Sequence, residues 1–236
     1  MTPLIICGPY WRSAMSEPIL VDNDVALKVC CYDCAGEFGA AFCQPQPALI
    51  LATAPFVMRD RIKRSSRIKD RERADGAMRV FLQRANTVEP DAAEIAMAAE
   101  FEELANERGL DLDGGESLLF ALLAMRRVRA LLTGDKRAIV ALEQVSVVMG
   151  LNEKAGERVA CFEQVMATLL HVANPTEIAG KVCAEPDADK AIAICFRCSS
   201  QSFELAAVLD GLASYVKDVR AAAPLTLVSG DDLRAL

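Results

Sequence analysis

Apolar residues recur along the chain in short runs that alternate with longer stretches of helical spacing. Ile19-Leu-Val21 is an aliphatic and β-branched run closed by Asp22, which predicts a short buried strand, and a helix is predicted from about Val25 to Tyr32. The stretch from Gly36 to Pro47 reads as turns, and Ala48 to Thr53 predicts a second strand stopped by Pro55. Val80 to Arg84 is expected to be helical, with Asn86 to Glu89 a brief edge strand ended by Pro90. Between Asp91 and Arg108, the residues Ile95, Ala98, Ala99, Phe101 and Leu104 suit one face of an amphipathic helix that Gly109 ends. Another helix follows Asp113, with Leu118, Leu119, Leu122 and Met125 on its apolar side. Ala130 to Thr133 predicts a strand, Gly134-Asp135 a turn, Lys136 to Gln144 a helix, and Val145 to Met149 a last strand before Gly150.

Strands alternating with helices at this spacing predict an α/β fold, a parallel sheet covered on both faces, over residues 18–150. Beyond Gly150 the pattern changes to two long helical stretches, Val159 to Val172 and Phe203 to Arg220, joined by a segment containing proline and cysteine. Residues 151–236 are therefore expected to form a mostly helical extension packed on the core. Residues 1–17 read as an N-terminal tail, since Met15-Ser-Glu-Pro18 directly precedes the first strand. The apolar runs are too short to span a bilayer, and no basic start or cleavage region of a secretory signal is present.

A chain of 236 residues with 53% hydrophobic and 25% charged side chains buries a sizeable core and is not disordered. Its net charge of −7 argues against binding of polyanions by the surface as a whole. The charge is uneven, however. Residues 59–75 carry eight basic side chains against four acidic ones, so Arg59, Arg61, Lys63, Arg64 and Arg67 are candidates for contact with nucleic-acid phosphates. The plainer reading of that run is a solvated helix with local ion pairs such as Arg67 with Asp70 and Arg71 with Asp75.

Carboxylates stand where chemistry in an open α/β sheet is expected, at the carboxyl ends of strands. Asp22 and Asp135 end predicted strands, Asp24 follows closely, and Asp113 and Glu116 begin a helix. Crowded carboxylates repel one another unless a cation neutralises them, and hard oxygen ligands select Mg²⁺ or Mn²⁺. Such an ion lowers the pKa of a bound water and stabilises charge on a phosphodiester. Taken singly, each acid has a structural reading. Asp113-x-x-Glu116 matches a capping box, and Asp135 and Asp24 are placed to cap helices.

Three segments carry a family resemblance: Ile19-Leu-Val-Asp22-Asn-Asp24-Val-Ala-Leu-Lys28, Leu112-Asp113-Gly-Gly-Glu116-Ser-Leu-Leu-Phe-Ala-Leu-Leu-Ala124, and Leu131-Leu-Thr-Gly-Asp135-Lys-Arg-Ala138. In this order, over roughly residues 18–149, the chain resembles the PIN-domain family of metal-dependent ribonucleases, which includes the toxins of many bacterial toxin–antitoxin pairs. The resemblance implies a three-layer α/β/α fold with parallel strand order 3-2-1-4-5 and an acidic pocket at its carboxyl edge. It gives Asp22 the role of first metal ligand and Glu116 and Asp135 the later acidic roles, with Asp113 a near-equal claimant to Glu116. The family's glutamate early in the helix after the second strand has no match in Phe56-Val-Met-Arg59-Asp60, where Asp60 is a possible replacement.

Nine cysteines, an odd number without the spacing of a disulfide framework, favour buried free thiols and a reducing cytoplasm. Cys31-x-x-Cys34 and Cys195-x-x-Cys198 would suit structural zinc only if the two pairs met. His171, the one histidine, falls on an apolar-rich helix and reads as a packing or surface residue. The expected function is a Mg²⁺- or Mn²⁺-dependent endoribonuclease. Asp22, Asp113, Glu116 and Asp135 would be its catalytic acids, with Asp24 an auxiliary ligand and RNA, ahead of DNA, its substrate. The rival is a non-catalytic scaffold whose acids cap helices and whose extension binds a protein partner or a second copy of the chain, and a third reading is a toxin neutralised by a small antitoxin-like partner.

Overall fold

A computed structural model describes residues 17–151, 156–200 and 202–236. Apart from Glu17, the expected N-terminal tail lies outside the described residues. Five short strands, β1 (Leu20–Val21), β2 (Ala48–Leu51), β3 (Ala85–Val88), β4 (Leu131–Thr133) and β5 (Val159–Cys161), form one sheet. All pairings are parallel and the order is β3-β2-β1-β4-β5. The α/β class and the 3-2-1-4-5 order are thus as expected.

Alternation along the strands divides the core into two layers of side chains. Ile19, Val21, Ala48, Ile50, Leu132 and Ala160 enter one cluster with α1 (Asn23–Cys31), α2 (Ala35–Phe42), α3 (Ala54–Arg64), α4 (Arg71–Leu82) and α8 (Phe162–Val172). Leu20, Leu51, Leu131, Val159 and Cys161 enter the other with α5 (Ala92–Arg108), α6 (Gly114–Met125) and α7 (Lys136–Met149). Successive strand residues point to opposite faces, and in the inner strands both faces are covered, which is why β1, β2 and β4 read as aliphatic runs, while the edge strand β3 carries exposed Asn86 and Thr87.

The sheet does not end where the sequence pattern suggested. Val145 to Met149, expected as a strand, is the last turn and a half of α7. Ala138, Ile139, Ala141, Leu142, Val145 and Ser146 form its buried helical stripe, while Val147 and Val148 are exposed, and Gly150 closes the helix at φ 66°. A buried parallel strand would have to cover both faces of that valine run. The fifth strand comes from Val159 to Cys161, which the sequence pattern placed at the start of a helix; α8 begins only at Phe162. The segment after residue 150 therefore contributes to the sheet as well as supplying α8, α9 (Pro175–Ala184), α10 (Lys190–Cys195) and α11 (Leu205–Ala222). Glu143 fastens the chain after α11 by accepting the amides of Leu225 and Thr226, and Val228 donates its amide to the Val159 carbonyl beside β5.

Two further expectations change. The supposed turns after Gly36 are largely α2, because Phe38 and Phe42, one turn apart, bury against the core and override two glycines. In α6 the buried set is Ser117, Leu119, Phe120, Ala121, Leu122 and Leu123, while Met125 is exposed. No helix among the described residues is long and apolar enough to cross a membrane.

Candidate functional site

The strand order reverses between β1 and β4, and a crevice at the carboxyl ends of such strands is where open α/β sheets bind ligands. A cleft of about 510 Å³ lies there, lined by Asp22, Glu116, Asp135, Lys28, Lys136 and Arg61 among others. Asp113 and Asp24 also line it. All five expected acids therefore reach one site from three places: the end of β1, the start of α6 and the end of β4.

Local structure explains how each is held. Asp22 is the residue before α1 but makes no side-chain capping hydrogen bond; its Oδ2 instead accepts the Thr133 hydroxyl at 3.1 Å. Asp113 and Glu116 form the capping box, Asp113 Oδ1 accepting the Glu116 amide at 2.9 Å and Glu116 Oε2 accepting the Asp113 amide at 3.0 Å. Asp135 caps α7 by accepting the amides of Arg137 and Ala138. Asp24 is not a cap: it lies in the first turn of α1 and pairs with Lys28 at 2.5 Å. Capping is thus real at Asp113, Glu116 and Asp135, and Asp22 is the acid least occupied with structural work.

The electrostatics follow from burial and crowding. Burial, with the Asp24 charge beside it, pushes Asp22 up to about 6, and the Thr133 hydroxyl and nearby amides offset this only in part. Glu116 is pushed up to about 7, mainly by burial, with Asp113, Asp135 and Asp22 all adding repulsion. These carboxylates are short of positive charge. Their all-oxygen donor set is the kind a hard divalent cation takes. Among the described residues, no three Asp, Glu, His or Cys side chains stand close enough to hold an ion in the present arrangement.

Among the described residues, four cations share the cleft. Lys28 is clamped between Asp24 and Asp189, the latter at 2.7 Å, and lies over the Phe162 ring. Arg137 is divided between Asp111 at 2.6 Å and Asp135 at 3.2 Å. Lys136 pairs with the buried Glu163, and Arg61 stands only loosely beside Asp24 at 3.9 Å. Glu163 and Asp189 are cleft acids that the sequence reading missed. Glu163 falls two residues beyond β5, as Asp135 does beyond β4, so recognising Val159-Ala-Cys161 as a strand would have exposed it.

The basic run is split rather than continuous. Of its five candidates only Arg61 lines the cleft; Arg59, Lys63, Arg64 and Arg67 are exposed outside it. Arg67 and Arg61 line an adjoining hollow of about 290 Å³ that shares Asp24 and Lys28 with the cleft. Asp60, the possible replacement for the missing glutamate, does not line the cleft and pairs with Arg64 at 2.9 Å. The observed neighbours of Asp70 and Asp75 are Arg73 and Arg79 rather than Arg67 and Arg71. The loop between α3 and α4 is pinned by Glu185, which accepts the amides of Lys69 and Asp70 at 2.8 and 2.7 Å.

None of the described cysteines lines the cleft. Cys30, Cys31, Cys34, Cys161 and Cys195 are buried free thiols as expected, whereas Cys183 and Cys198 form a disulfide. Cys198 is thus bonded to Cys183, and its C-x-x-C partner Cys195 stays free. His171 sits on α8 with its Nε2 3.5 Å from Asp232. No family model, curated protein or solved structure matches this chain.

Proposed function

We propose that the chain is a PIN-like, divalent-metal-dependent nuclease whose cleft cuts phosphodiester bonds of RNA. The observation that carries this reading is the convergence of Asp22, Glu116 and Asp135 on one cleft, where burial, with the Asp24 charge, raises Asp22 to about 6, and burial, with the charges of Asp113, Asp135 and Asp22, raises Glu116 to about 7. The strand order and the position of the cleft at its reversal add support. Asp22, Glu116 and Asp135 would hold Mg²⁺ or Mn²⁺, with Asp113 and Asp24 beside them. When bound, the ion would supply an activated water and stabilise the developing phosphate charge.

The protein's own groups prepare that chemistry. Thr133 fixes the Asp22 carboxylate, and the capping box fixes Glu116 while leaving its Oε1 outside the cap. Lys28 and Arg61 offset Asp24, so that an anionic substrate meets less repulsion. Asp22→Asn and Asp135→Asn should each abolish metal-stimulated cleavage of RNA without unfolding the chain. Variants that cut as well as the parent would remove the cleft from the reaction.

The scaffold reading has specific support too: Asp113, Glu116 and Asp135 all cap helices, and Asp60 lies away from the cleft. It requires that the same substitutions leave every measurable activity unchanged.

A further inference from the structure

Of the cations in the cleft, two are doubly neutralised. Lys28 has Asp24 and Asp189, and Arg137 has Asp111 and Asp135. Lys136 is held differently. Among the described residues its ammonium meets a single carboxylate, that of Glu163, and it lies 4.2 Å from the centroid of the Tyr215 ring on α11. Glu163 is itself almost wholly buried, and its Oε2 has no hydrogen-bond partner among the described residues. An ammonium carries three donors, and a ring face attracts it without taking a lone pair from it. Lys136 is therefore fixed from behind by Glu163 and Tyr215, with its side chain 30% exposed at the cleft.

Its place in the sheet matters as much. Lys136 is the first residue of α7 after β4, next to Asp135, while Arg61 is on α3 after β2. With β1 between β2 and β4, the two cations lie on either side of Asp22 along the sheet order.

We propose that Lys136 is the cleft's contact for a substrate phosphate, with Tyr215 as its positioning residue. The proposal rests on the nuclease reading for its substrate but concerns binding rather than cleavage. It gives a role to a lysine that stands beside Asp135 yet pairs with Glu163 instead. The segment beyond residue 150 then has a role in the site, since Glu163 and Tyr215 both come from it.

The test uses the full chain and a short fluorescein-labelled oligouridylate, with anisotropy followed across a salt series in EDTA. Mn²⁺ binding to the same variants is followed separately by calorimetry. Lys136→Met is expected to weaken RNA binding about tenfold and to lower the slope of log K against log salt by about one. It should retain Mn²⁺ binding, and Lys136→Arg should retain the slope. Lys217→Met, the same charge change at an exposed position on α11, should bind like the parent. Tyr215→Leu should weaken binding several-fold, and Tyr215→Phe should restore it. If the parent binds RNA and Lys136→Met matches it in affinity and slope, this inference is overturned while the nuclease reading stands. Should Lys136→Met fail to fold, parent-like binding and slope in a folded Lys136→Gln would overturn it equally. If the parent binds neither RNA nor Mn²⁺, the nuclease reading itself fails.

Discussion

Thr133, at the end of β4, donates its hydroxyl to Asp22 Oδ2 at 3.1 Å across the point where the strand order reverses. The bond favours the charged form of a carboxylate that burial would otherwise keep protonated. Metal and protons compete for the same oxygens, so Mn²⁺ affinity should rise with pH as Asp22 and Glu116 lose their protons between about 6 and 7. Thr133→Val removes the hydrogen bond and should move the lower part of that profile up by about one pH unit. Calorimetric titrations at a series of pH values check this, and an unshifted profile would show that Thr133 does not tune Asp22.

Asp22 also makes a statement about stability. Its pKa is about 6 in the folded protein against 3.8 for an ordinary aspartate, so the folded chain binds the proton more tightly than the unfolded one. Stability from this group is present below pH 4 and is lost as pH rises through about 6. Without metal, Asp22→Asn should therefore melt higher than the parent at pH 8, by roughly 2–6 °C, with the advantage gone near pH 4. Thermal melts in EDTA at both values decide it. A variant that melts lower at both would mean that Asp22 stabilises the fold as a carboxylate.

Glu185 is the strongest tie between the C-terminal segment and the basic loop. It is fully buried and accepts two backbone amides, with the Arg73 guanidinium at 3.3 Å. Glu185→Ala leaves those donors without their acceptor and should cost about 3 kcal/mol in urea unfolding. A loss below about 0.5 kcal/mol would place it among ordinary surface substitutions.

Gly134 is needed for close approach. A Cβ at this position would collide with Asp24 Oδ2, and Lys28 Nζ lies 3.2 Å away. Gly134→Ala should push Asp24 off Lys28, lowering stability by about 1 kcal/mol and perturbing Mn²⁺ binding, whereas Gly36→Ala, with open space around it, should not perturb that binding. Equal effects of the two on Mn²⁺ binding would rule out the steric explanation.

β3, with Asn86 and Thr87 exposed, was legible only as a brief edge run stopped by Pro90, whereas β1, β2 and β4 were legible because each is a short, largely buried aliphatic run ended by a polar or turn residue. Val145 to Met149 misled for the same reason: β-branched residues suit a strand, but here a helical stripe from Ala138 to Ser146 and the left-handed Gly150 decide the outcome. Val159-Ala-Cys161 was hidden by the helical pattern that follows it directly. That error concealed Glu163 and with it the wall that holds Lys136. The acids were legible as strand-end and helix-start residues, whereas Asp189 was not, since its position depends on the α10 cap and on Lys28. The basic run was visible as charge alone; that only Arg61 reaches the cleft depends on which face of α3 is turned to it, since Arg59, Lys63 and Arg64 are on the same helix.

The most direct measurement is calorimetric titration of Mn²⁺ into the full chain and into Asp22→Asn/Asp135→Asn at pH 7.5. Saturable binding to the parent that disappears in the double variant is the expected result. Absence of binding to the parent, or equal binding to both, would contradict a metal site in this cleft.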